Sequence, residues 1–439
     1  MIVMKFGGSS LGNGGMIEKA AGIIAGRLSQ KPIVVVSAVG GVTDLLINSA
    51  KGVIGGDDPE EMIKEIRDRH LKIMNYLGLE SRLIGKEIGS LSDLLRGIWL
   101  IKELTPRTLD LVMSFGERLS SRILTEYLKL NKIGAKRYCG WEAGILTDSN
   151  FNNAAVLPES YSEIQGRVGT DSVAVVTGFI AKDRAGEITT IGRGGSDLSA
   201  AIIGAAAGAE EIQIWTDVSG IMTADPRIVK TARTIDIISF EEAAELAYFG
   251  AKVLHPRTIE PAMQKDIPVR VLNTFRPEDA GTLIVSRSDA KGAITAVSSK
   301  RNITLLNCIS TKKIDTPSFL ETLFVTLNKY DFSVDMIGTT EATISLTLEK
   351  NAKFDRLISE LREISRVSVS ESRSIICVVG KGLKNRIGIA GEIFTELGKA
   401  GVNIELISQG SSEINISFVI KDEDVSMALE VLHKKYLSK

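Results

Sequence analysis

Two glycine-rich segments of the 439-residue sequence carry charged side chains that could handle phosphate and carboxylate groups. Lys5-Phe-Gly-Gly-Ser-Ser10 follows a short apolar run, and Gly192-Arg-Gly-Gly-Ser-Asp197 precedes an alanine-rich run. Paired glycines let backbone N–H groups approach a phosphate, and the start of a helix adds a favourable dipole. Lys5 could neutralise a phosphoryl group, and Arg193 could grip a carboxylate. From the residues alone the first segment fits a plain turn better, whereas the second favours a ligand site.

Three further segments could line the same site. Ser37-Ala-Val-Gly-Gly-Val-Thr43 places two hydroxyls around a glycine pair, although Thr43 could equally cap a helix. Glu117 opens a predicted helix, where it could recognise an amine or simply be favoured by the helix dipole. The segment from Trp215 to Arg227 could hold a nucleotide base and ribose, or it could be an ordered surface loop.

Short β-branched runs predict the strands that end in these segments. The runs show little polar alternation, as expected of strands buried on both faces, and segments with helical spacing separate them. This alternation predicts an α/β domain, in which ligands bind beyond the carboxyl ends of the strands. Residues 57–104 predict a helical excursion from the sheet. The runs are Ile2–Phe6, Ile33–Val36, Val173–Thr177, Ile212–Trp215 and Val269–Leu272.

An internal repeat begins after residue 285. Residues 323–337 align with residues 393–407, and almost every apolar position is matched. Each copy predicts strand, helix, strand and strand over about 70 residues, which is a duplicated α+β module. The duplication could be structural filler, but it favours side-by-side packing with a ligand at the shared interface. The identical pairs are Phe324 and Phe394, Leu327 and Leu397, Lys329 and Lys399, and Ile337 and Ile407.

The composition argues against several classes of protein. Lys and Arg number 53 against 54 Asp and Glu, so the net charge of −1 gives no electrostatic case for nucleic acid or an anionic membrane. No run reaches the roughly 18 apolar residues of a spanning helix, and the N-terminus does not resemble a signal peptide. Three dispersed cysteines and three unpaired histidines predict a cytoplasmic protein with no protein-built metal site and no histidine base.

Seven segments, in this order and spacing, resemble the aspartate kinases of the amino acid kinase family: KFGGSS, SAVGGVT, SFGER, TGFI, GRGGSD, WTDVSGIMTADPR and GAKVLHP. The repeat resembles the tandem ACT domains of that family. The resemblance implies a three-layer amino acid kinase fold, with a mainly parallel sheet between helices, at 1–285. Two α+β, ferredoxin-like ACT domains would follow at 300–370 and 371–439.

The resemblance also implies an activity and a set of site residues. The reaction would be the ATP- and Mg²⁺-dependent phosphorylation of L-aspartate to 4-phospho-L-aspartate, the first step of lysine, threonine and methionine biosynthesis. Its acceptor carboxylate is ionised at neutral pH and needs no base. The implied catalytic residues are Lys5, Arg193 and Asp197. The implied aspartate-binding residues are Ser37, Thr43, Glu117, Phe179, Arg193 and Ser196. The implied ATP-binding residues are Lys5, Gly7, Gly8, Thr216, Asp217, Met222, Arg227, Lys252 and Val253, with Met222 where many relatives have Tyr.

The repeat further implies feedback regulation by an amino acid, lysine or threonine. Ser318 stands where relatives usually have Gly, so the effector's identity and even retained sensitivity stay open. The alternative is that the modules mainly hold together a homodimer or higher homo-oligomer. Two rival functions are a glutamate or acetylglutamate kinase and a non-catalytic amino-acid sensor. The implied effector residues are Ser318, Phe319, Leu320, Asp335 and Thr340.

Overall fold

The computed structural model describes residues 1–169, 171–250, 256–288, 294–310, 316–340, 343–383, 386–410 and 414–438. Within these ranges the chain forms two compact units. The first unit takes its residues from Met1–Ile221, Asp236–Phe240 and Val253–Ser288, and the second takes them from Met222–Ile235, Glu241–Lys252 and Asp289–Lys439.

Strands and helices alternate along most of the described chain. The strands are β1 (Ile2–Phe6), β2 (Ile33–Val36), β3 (Ala135–Tyr138), β4 (Leu146–Thr147), β5 (Val173–Thr177), β6 (Ile180–Asp183), β7 (Ile188–Thr190), β8 (Glu211–Thr216), β9 (Ile237–Ser239), β10 (Val269–Asn273), β11 (Thr282–Val285), β12 (Ala296–Ser310), β13 (Ile337–Thr339), β14 (Thr343–Glu349), β15 (Ser365–Val379), β16 (Leu406–Ser408) and β17 (Asn415–Lys421). The helices are α1 (Gly14–Ala25), α2 (Val42–Gly55), α3 (Pro59–Tyr76), α4 (Gly85–Ile101), α5 (Pro106–Met113), α6 (Phe115–Leu130), α7 (Ser160–Arg167), α8 (Gly195–Ala207), α9 (Phe240–Tyr248), α10 (Pro256–Gln264), α11 (Thr316–Lys329), α12 (Phe354–Ile364), α13 (Ile389–Lys399) and α14 (Val425–Tyr436).

The first unit is built on an eight-stranded sheet in the order β3-β5-β2-β1-β8-β10-β11-β9. Its pairs are parallel except for β10 with β11. Every residue of β1, β2 and β5 is buried, as their unbroken apolar sequences predicted. Ile2 and Met4 share a hydrophobic cluster with α1 and α6, while α8 packs near Val3. The predicted layered α/β fold is therefore confirmed.

The predicted helical excursion is also confirmed, as α3 and α4. Asp58 caps α3 by accepting a hydrogen bond from the backbone N–H of Glu60, and Pro59 takes the first helical position, where no N–H is needed. The buried stripe of α3 includes Ile66, His70 and Ile73, as the helical spacing predicted. The helix α3 therefore presents charged side chains to solvent and a narrow apolar face to the core.

The second unit contains a six-stranded antiparallel sheet in the order β13-β14-β12-β15-β17-β16. The strands β12 and β15 each run for 15 residues and pair along most of their length. Ala296–Lys300, at the start of β12, pairs with Ile375–Val379, at the end of β15. The latter half of β12 pairs with the first half of β15 beyond a register shift. Each four-stranded half of the sheet therefore includes a strand segment from both copies of the repeat.

This pairing divides the chain differently from the predicted ranges. Residues before 300 supply a strand to the part of the sheet assigned to 371–439. Residues 222–235 also belong to the second compact unit, although the predicted boundary at 285 placed them in the first domain. The physical reason is burial, because Ala224 and Val229 share a hydrophobic cluster with α13 and α14.

Matched positions of the repeat form matched ion pairs. Asp335 pairs with Lys300 at 2.7 Å, and Glu405 pairs with Arg373 at 2.8 Å. Each carboxylate lies just before the second strand of its copy, and each cation lies near the register shift of the long strands. The two pairs join corresponding parts of the repeat to the long strands.

Replacing Lys300 by alanine should destabilise the second unit, because the side chain of Asp335 is only 5% exposed and would lose its cation. We expect a loss of about 3 kcal/mol in the free energy of unfolding. Lys329→Ala, which removes a more exposed ion pair with Glu360, should cost far less stability, because water screens exposed charges. Urea denaturation of both variants measures the difference, and equal losses would contradict a structural role for the Lys300 pair.

Candidate active site

A cavity of about 690 Å³ lies at the carboxyl ends of the central strands of the first unit. The loops that follow β1, β2 and β5 and the start of α8 form much of its wall. It therefore occupies the position where parallel sheets bind ligands. Of the residues that the sequence predicted for the site, the cavity brings together Lys5, Gly8, Ser37, Thr43, Glu117, Phe179, Arg193, Ser196 and Asp197.

Lys5 and Asp197 form an ion pair at the inner wall of this cavity. Lys5 lies on β1 and Asp197 in the first turn of α8, and the Lys5 Nζ and Asp197 Oδ1 atoms are 2.7 Å apart. Gly194, with a φ of 73°, makes the left-handed turn before α8 that glycine adopts without strain. The N-terminus of α8 therefore contributes a positive dipole end beside the Lys5 ammonium. Together they can stabilise negative charge in the cavity.

Two glycine loops interlock beside this ion pair. The backbone N–H of Gly40 donates to the Gly8 carbonyl at 3.0 Å. A Cβ atom on Gly8 would lie 3.1 Å from the Gly40 Cα, which is closer than ordinary packing allows. Ser37 N donates to Phe6 O, and Gly7 N donates to Trp215 O, so the parallel ladder continues into the loops. The hydrogen bonds that continue from the sheet therefore fix the position of the glycine loop after β1.

Glu117 is a buried carboxyl group in the wall of the cavity. It lies at the start of α6, and its Oε1 accepts a hydrogen bond from Ala38 N at 2.9 Å. Its Oε2 is shielded from solvent and has no hydrogen-bond partner among the described residues. Burial raises the pKa of Glu117 to about 8, against a smaller opposite effect of the Ala38 bond. A bound cation would favour its ionised form.

Arg193 and Phe179 also line the cavity. Arg193 is exposed and forms no salt bridge with any other residue in the described ranges. Phe179 has a left-handed backbone, with a φ of 64°, and its N–H donates to Ser199 Oγ at 3.0 Å. Because Ser199 Oγ also donates to Gly195 O, it ties the turn after β5 to α8. Arg193 is thus free to bind an anion beside a fixed turn.

Sequence reasoning missed a third part of the wall, which a buried acid organises. Asp110 on α5 is fully buried and accepts hydrogen bonds from the backbone N–H groups of Asn152 and Thr190 and from Thr190 Oγ1. Burial raises the pKa of Asp110, and these hydrogen bonds oppose the rise. Asn152 and Thr190 both line the cavity. An acid within the apolar run Leu109–Val112 was the one available signal.

The predicted ATP-binding residues do not all lie in the same unit. Gly7, Thr216 and Asp217 belong to the first unit, whereas Met222 and Arg227 belong to the second. Arg227 is exposed and forms an ion pair with Asp225 at 2.7 Å. Lys252 and Val253 lie outside the described residues.

The predicted effector residues lie in the first copy of the repeat. Ser318, Phe319 and Leu320 are on α11, and Phe319 is buried in a hydrophobic cluster of that copy. Asp335 is bound by Lys300, and Thr340 is exposed after β13. These residues therefore differ in how accessible they are to a ligand.

The described ranges lack two kinds of structural feature. They hold no group of three or more His, Cys, Asp or Glu side chains placed to bind a metal ion. No helix within them is both long and apolar enough to cross a membrane.

Family models, curated relatives and solved structures all match this chain consistently. The sequence model of the amino acid kinase family matches residues 1–273, and an ACT domain model matches 376–436. Aspartokinase 2, chloroplastic, of Arabidopsis thaliana is 40% identical over 99% of this chain and 84% of its own length. The structure of Escherichia coli aspartokinase III with aspartate and ADP (R-state) has a TM-score of 0.81 at 32% identity and covers 99% of both chains. The structure with lysine and aspartate (T-state) has a TM-score of 0.85 at 31% identity and covers 100% of this chain and 99% of that one.

Replacing Glu117 by glutamine should change how stability depends on pH. The folded protein holds a proton on Glu117 up to a pKa of about 8, whereas the usual value is 4.5. This contribution to stability is complete below pH 4.5 and is lost as the pH rises through 8, and glutamine removes the loss. Urea denaturation at pH 5 and pH 8 should therefore show the variant gaining a few kcal/mol on the wild type at the higher pH. Parallel pH profiles for the two proteins would show that Glu117 does not titrate as expected.

Proposed function

This chain belongs to the amino acid kinase family, and from that premise we propose that it is an aspartate kinase. It transfers the γ-phosphoryl group of ATP to the side-chain carboxylate of L-aspartate, giving ADP and 4-phospho-L-aspartate. The observation that carries the proposal is that Lys5, Asp197, Arg193 and Glu117 line one cavity together. L-aspartate carries two carboxylates and one ammonium, and the cavity offers cations for the former and a buried carboxyl group for the latter.

Arg193 binds the α-carboxylate in this proposal, and Glu117 binds the α-ammonium. A guanidinium can hold a carboxylate through two parallel hydrogen bonds. Within the described residues, Arg193 forms no ion pair that would compete for the ligand. The ligand's ammonium would stabilise the ionised form of Glu117 and lower its pKa from about 8. Ser37, Thr43, Phe179 and Ser196 complete the pocket and orient the side-chain carboxylate toward Lys5.

The transfer needs no general base, because the acceptor carboxylate is already ionised at neutral pH. One of its oxygens forms a bond to the γ-phosphorus while the bond to the β–γ bridging oxygen breaks, and ADP leaves. The main barrier is the approach of two anions. Lys5 and the N-terminus of α8 lower this barrier by placing fixed positive charge where the phosphoryl oxygens lie. Asp197 holds the Lys5 ammonium in position.

The nucleotide would bind next to this cavity. Lys5, Gly7 and Gly8 would contact the phosphates, and the remaining nucleotide contacts proposed are Thr216, Asp217, Met222, Arg227, Lys252 and Val253. Mg²⁺ suits the donors present, because nucleotide sites commonly hold it through one or two carboxylates plus phosphate oxygens. Asp197 is the carboxylate that would hold it, and the ion would neutralise charge on the phosphates.

The ACT repeat supports regulation by an amino acid. We expect lysine or threonine to bind near Ser318, Phe319, Leu320, Asp335 and Thr340 and to lower activity. A homodimer or higher homo-oligomer and a cytoplasmic location belong to the same proposal.

A coupled assay of ADP release tests the activity. With purified protein and MgATP, L-aspartate should support turnover, whereas L-glutamate and N-acetyl-L-glutamate should not. Turnover with either of the latter alone would favour the rival kinases, and no turnover with any of them would favour a sensor. Lysine, threonine and methionine added singly to the aspartate reaction identify an inhibitor.

Alanine at Lys5 and at Arg193 should impair different kinetic constants. Lys5→Ala should lower kcat by about 100-fold to 1,000-fold, because it removes charge that acts on the transferring group. Arg193→Ala should mainly raise the KM for aspartate, by at least about tenfold, because it removes a contact to the bound substrate. Steady-state kinetics separate the two effects, with Lys132→Ala, an exposed residue away from the cavity, as the control. Near-wild-type constants in both variants would contradict these roles.

A further inference from the structure

We infer that Asp110, the buried acid on α5, is a positioning residue for aspartate binding. It acts by holding the turn 190–194, which includes Arg193 of the cavity wall. The inference rests on the proposed function, in which Arg193 binds the α-carboxylate of the substrate. It adds a residue that is fully buried and does not itself line the cavity.

The Asp110 carboxylate joins two segments that are distant in the sequence. Thr190, at the end of β7, donates to it from the backbone N–H at 2.9 Å and from the hydroxyl at 2.7 Å. The backbone N–H of Asn152 lies 3.0 Å from one carboxylate oxygen and 3.1 Å from the other. Both of these residues line the cavity. Every hydrogen bond that this carboxylate accepts within the described ranges therefore holds a residue of the cavity wall.

The two segments also support each other directly. Ala154 N donates to Thr190 O at 2.9 Å, beside the hydrogen bonds to Asp110. A Cβ atom on Gly192 would lie 3.4 Å from Asn152 O, so the turn and the loop 150–154 are in van der Waals contact. The loop therefore braces the turn, and Asp110 links this loop to the strand that leads into the turn.

Arg193 depends on this support for its position. Its side chain is exposed and forms no salt bridge within the described ranges, so its backbone decides where the guanidinium can reach. Asp110 holds Thr190, three residues earlier, and the N–H of Ile191 donates to Phe179 O at 2.9 Å. A bidentate contact to a carboxylate requires a well-placed guanidinium, and a displacement of about 1 Å can be costly. Loss of the Asp110 hydrogen bonds should therefore weaken aspartate binding.

The groups that act on the transferring phosphoryl group have separate supports. Lys5 is held within the sheet, because β1 pairs with both β2 and β8. Asp197 pairs with Lys5, and Ser199 of the same helix accepts a hydrogen bond from Phe179 N. None of these contacts involves Asp110. Loss of Asp110 should thus affect aspartate binding more than phosphoryl transfer.

The test compares Asp110→Leu with the wild type by steady-state kinetics. Leucine branches at Cγ as aspartate does, so it keeps a similar shape and removes every acceptor. We expect Asp110→Leu to raise the KM for aspartate by at least about tenfold, because Thr190 and Asn152 lose their hydrogen bonds to it. The kcat at saturating aspartate and the KM for ATP should stay within about twofold, because Lys5 and Asp197 keep their supports.

Two further variants distinguish positioning from a general loss of packing. The amide oxygen of Asp110→Asn can still accept from backbone N–H groups, while its NH₂ group donates to the Thr190 hydroxyl. This conservative variant should therefore keep the KM for aspartate within about threefold of the wild type. In the Arg193→Ala background, Asp110→Leu should raise the KM little further, because Asp110 acts through Arg193.

A milder variant keeps the test decisive if Asp110→Leu does not fold. Thr190→Val removes only the hydroxyl bond to Asp110 and should raise the KM for aspartate by about threefold. This effect should also disappear in the Arg193→Ala background, whereas a direct contact between Thr190 and the substrate would still cost affinity there.

Glu87 supplies the matched control. It is a second buried acid of the first unit, on α4, where it pairs with Arg122 at 2.7 Å and does not line the cavity. Glu87→Leu should lower the free energy of unfolding, because Arg122 loses its partner, but should leave the KM for aspartate unchanged.

Three outcomes would overturn the inference. They are an unchanged KM for aspartate in the folded Asp110→Leu and Thr190→Val variants, equal damage to all kinetic constants, and full additivity of Asp110→Leu with Arg193→Ala. A wild-type protein that does not phosphorylate aspartate would instead refute the proposed function.

Discussion

The parallel pairing of β1 with both β2 and β8 is the constraint on which the candidate site depends. It sets Lys5 beside Val35 and Ile214, and Phe6 beside Val36 and Trp215, so three strands end at one level. The loops after β1 and β2 must then meet, and glycine suits the close approach, because a Cβ atom on Gly8 would lie 3.1 Å from Gly40 Cα. A slip by one residue would turn Lys5 to the other face of the sheet and remove it from the cavity.

The apolar layers around this sheet allow the cavity to hold groups that are costly to bury. Glu117 and Asp110 are both carboxyl groups whose pKa burial raises, and Lys5 is nearly buried against Asp197. Such groups weaken a fold unless ligands or hydrogen bonds compensate them. In Asp110 the compensation is internal, through Asn152 and Thr190. Glu117 has only one such hydrogen bond, from Ala38 N, so its second oxygen remains available to a substrate. Asp110 therefore helps to build the cavity wall, whereas Glu117 can bind a ligand.

Local patterns were enough to predict much of the fold and the aspartate side of the site. Continuous apolar runs predicted β1, β2 and β5, and the three glycine-rich segments 5–10, 37–43 and 192–197 supplied most of the predicted cavity residues. The family and activity class inferred from seven segments agree with the full-length relatives. Long-range contacts were not predictable in this way. Three features depend on pairings between residues distant in the sequence, which hydrophobic periodicity does not reveal. They are the burial of Asp110, the sharing of β12 and β15 between the two copies, and the attachment of residues 222–235 to the second unit.

The long strands β12 and β15 make the two copies of the repeat inseparable. Each copy completes its four-stranded layer with backbone that is covalently continuous with the other copy. A chain cut between the copies, at residue 370, would divide β15 itself and leave both halves of the sheet short of a strand. The repeat is thus one folding unit with two similar lobes. A displacement of β12 or β15 in one lobe is therefore carried to the other along the same peptide backbone.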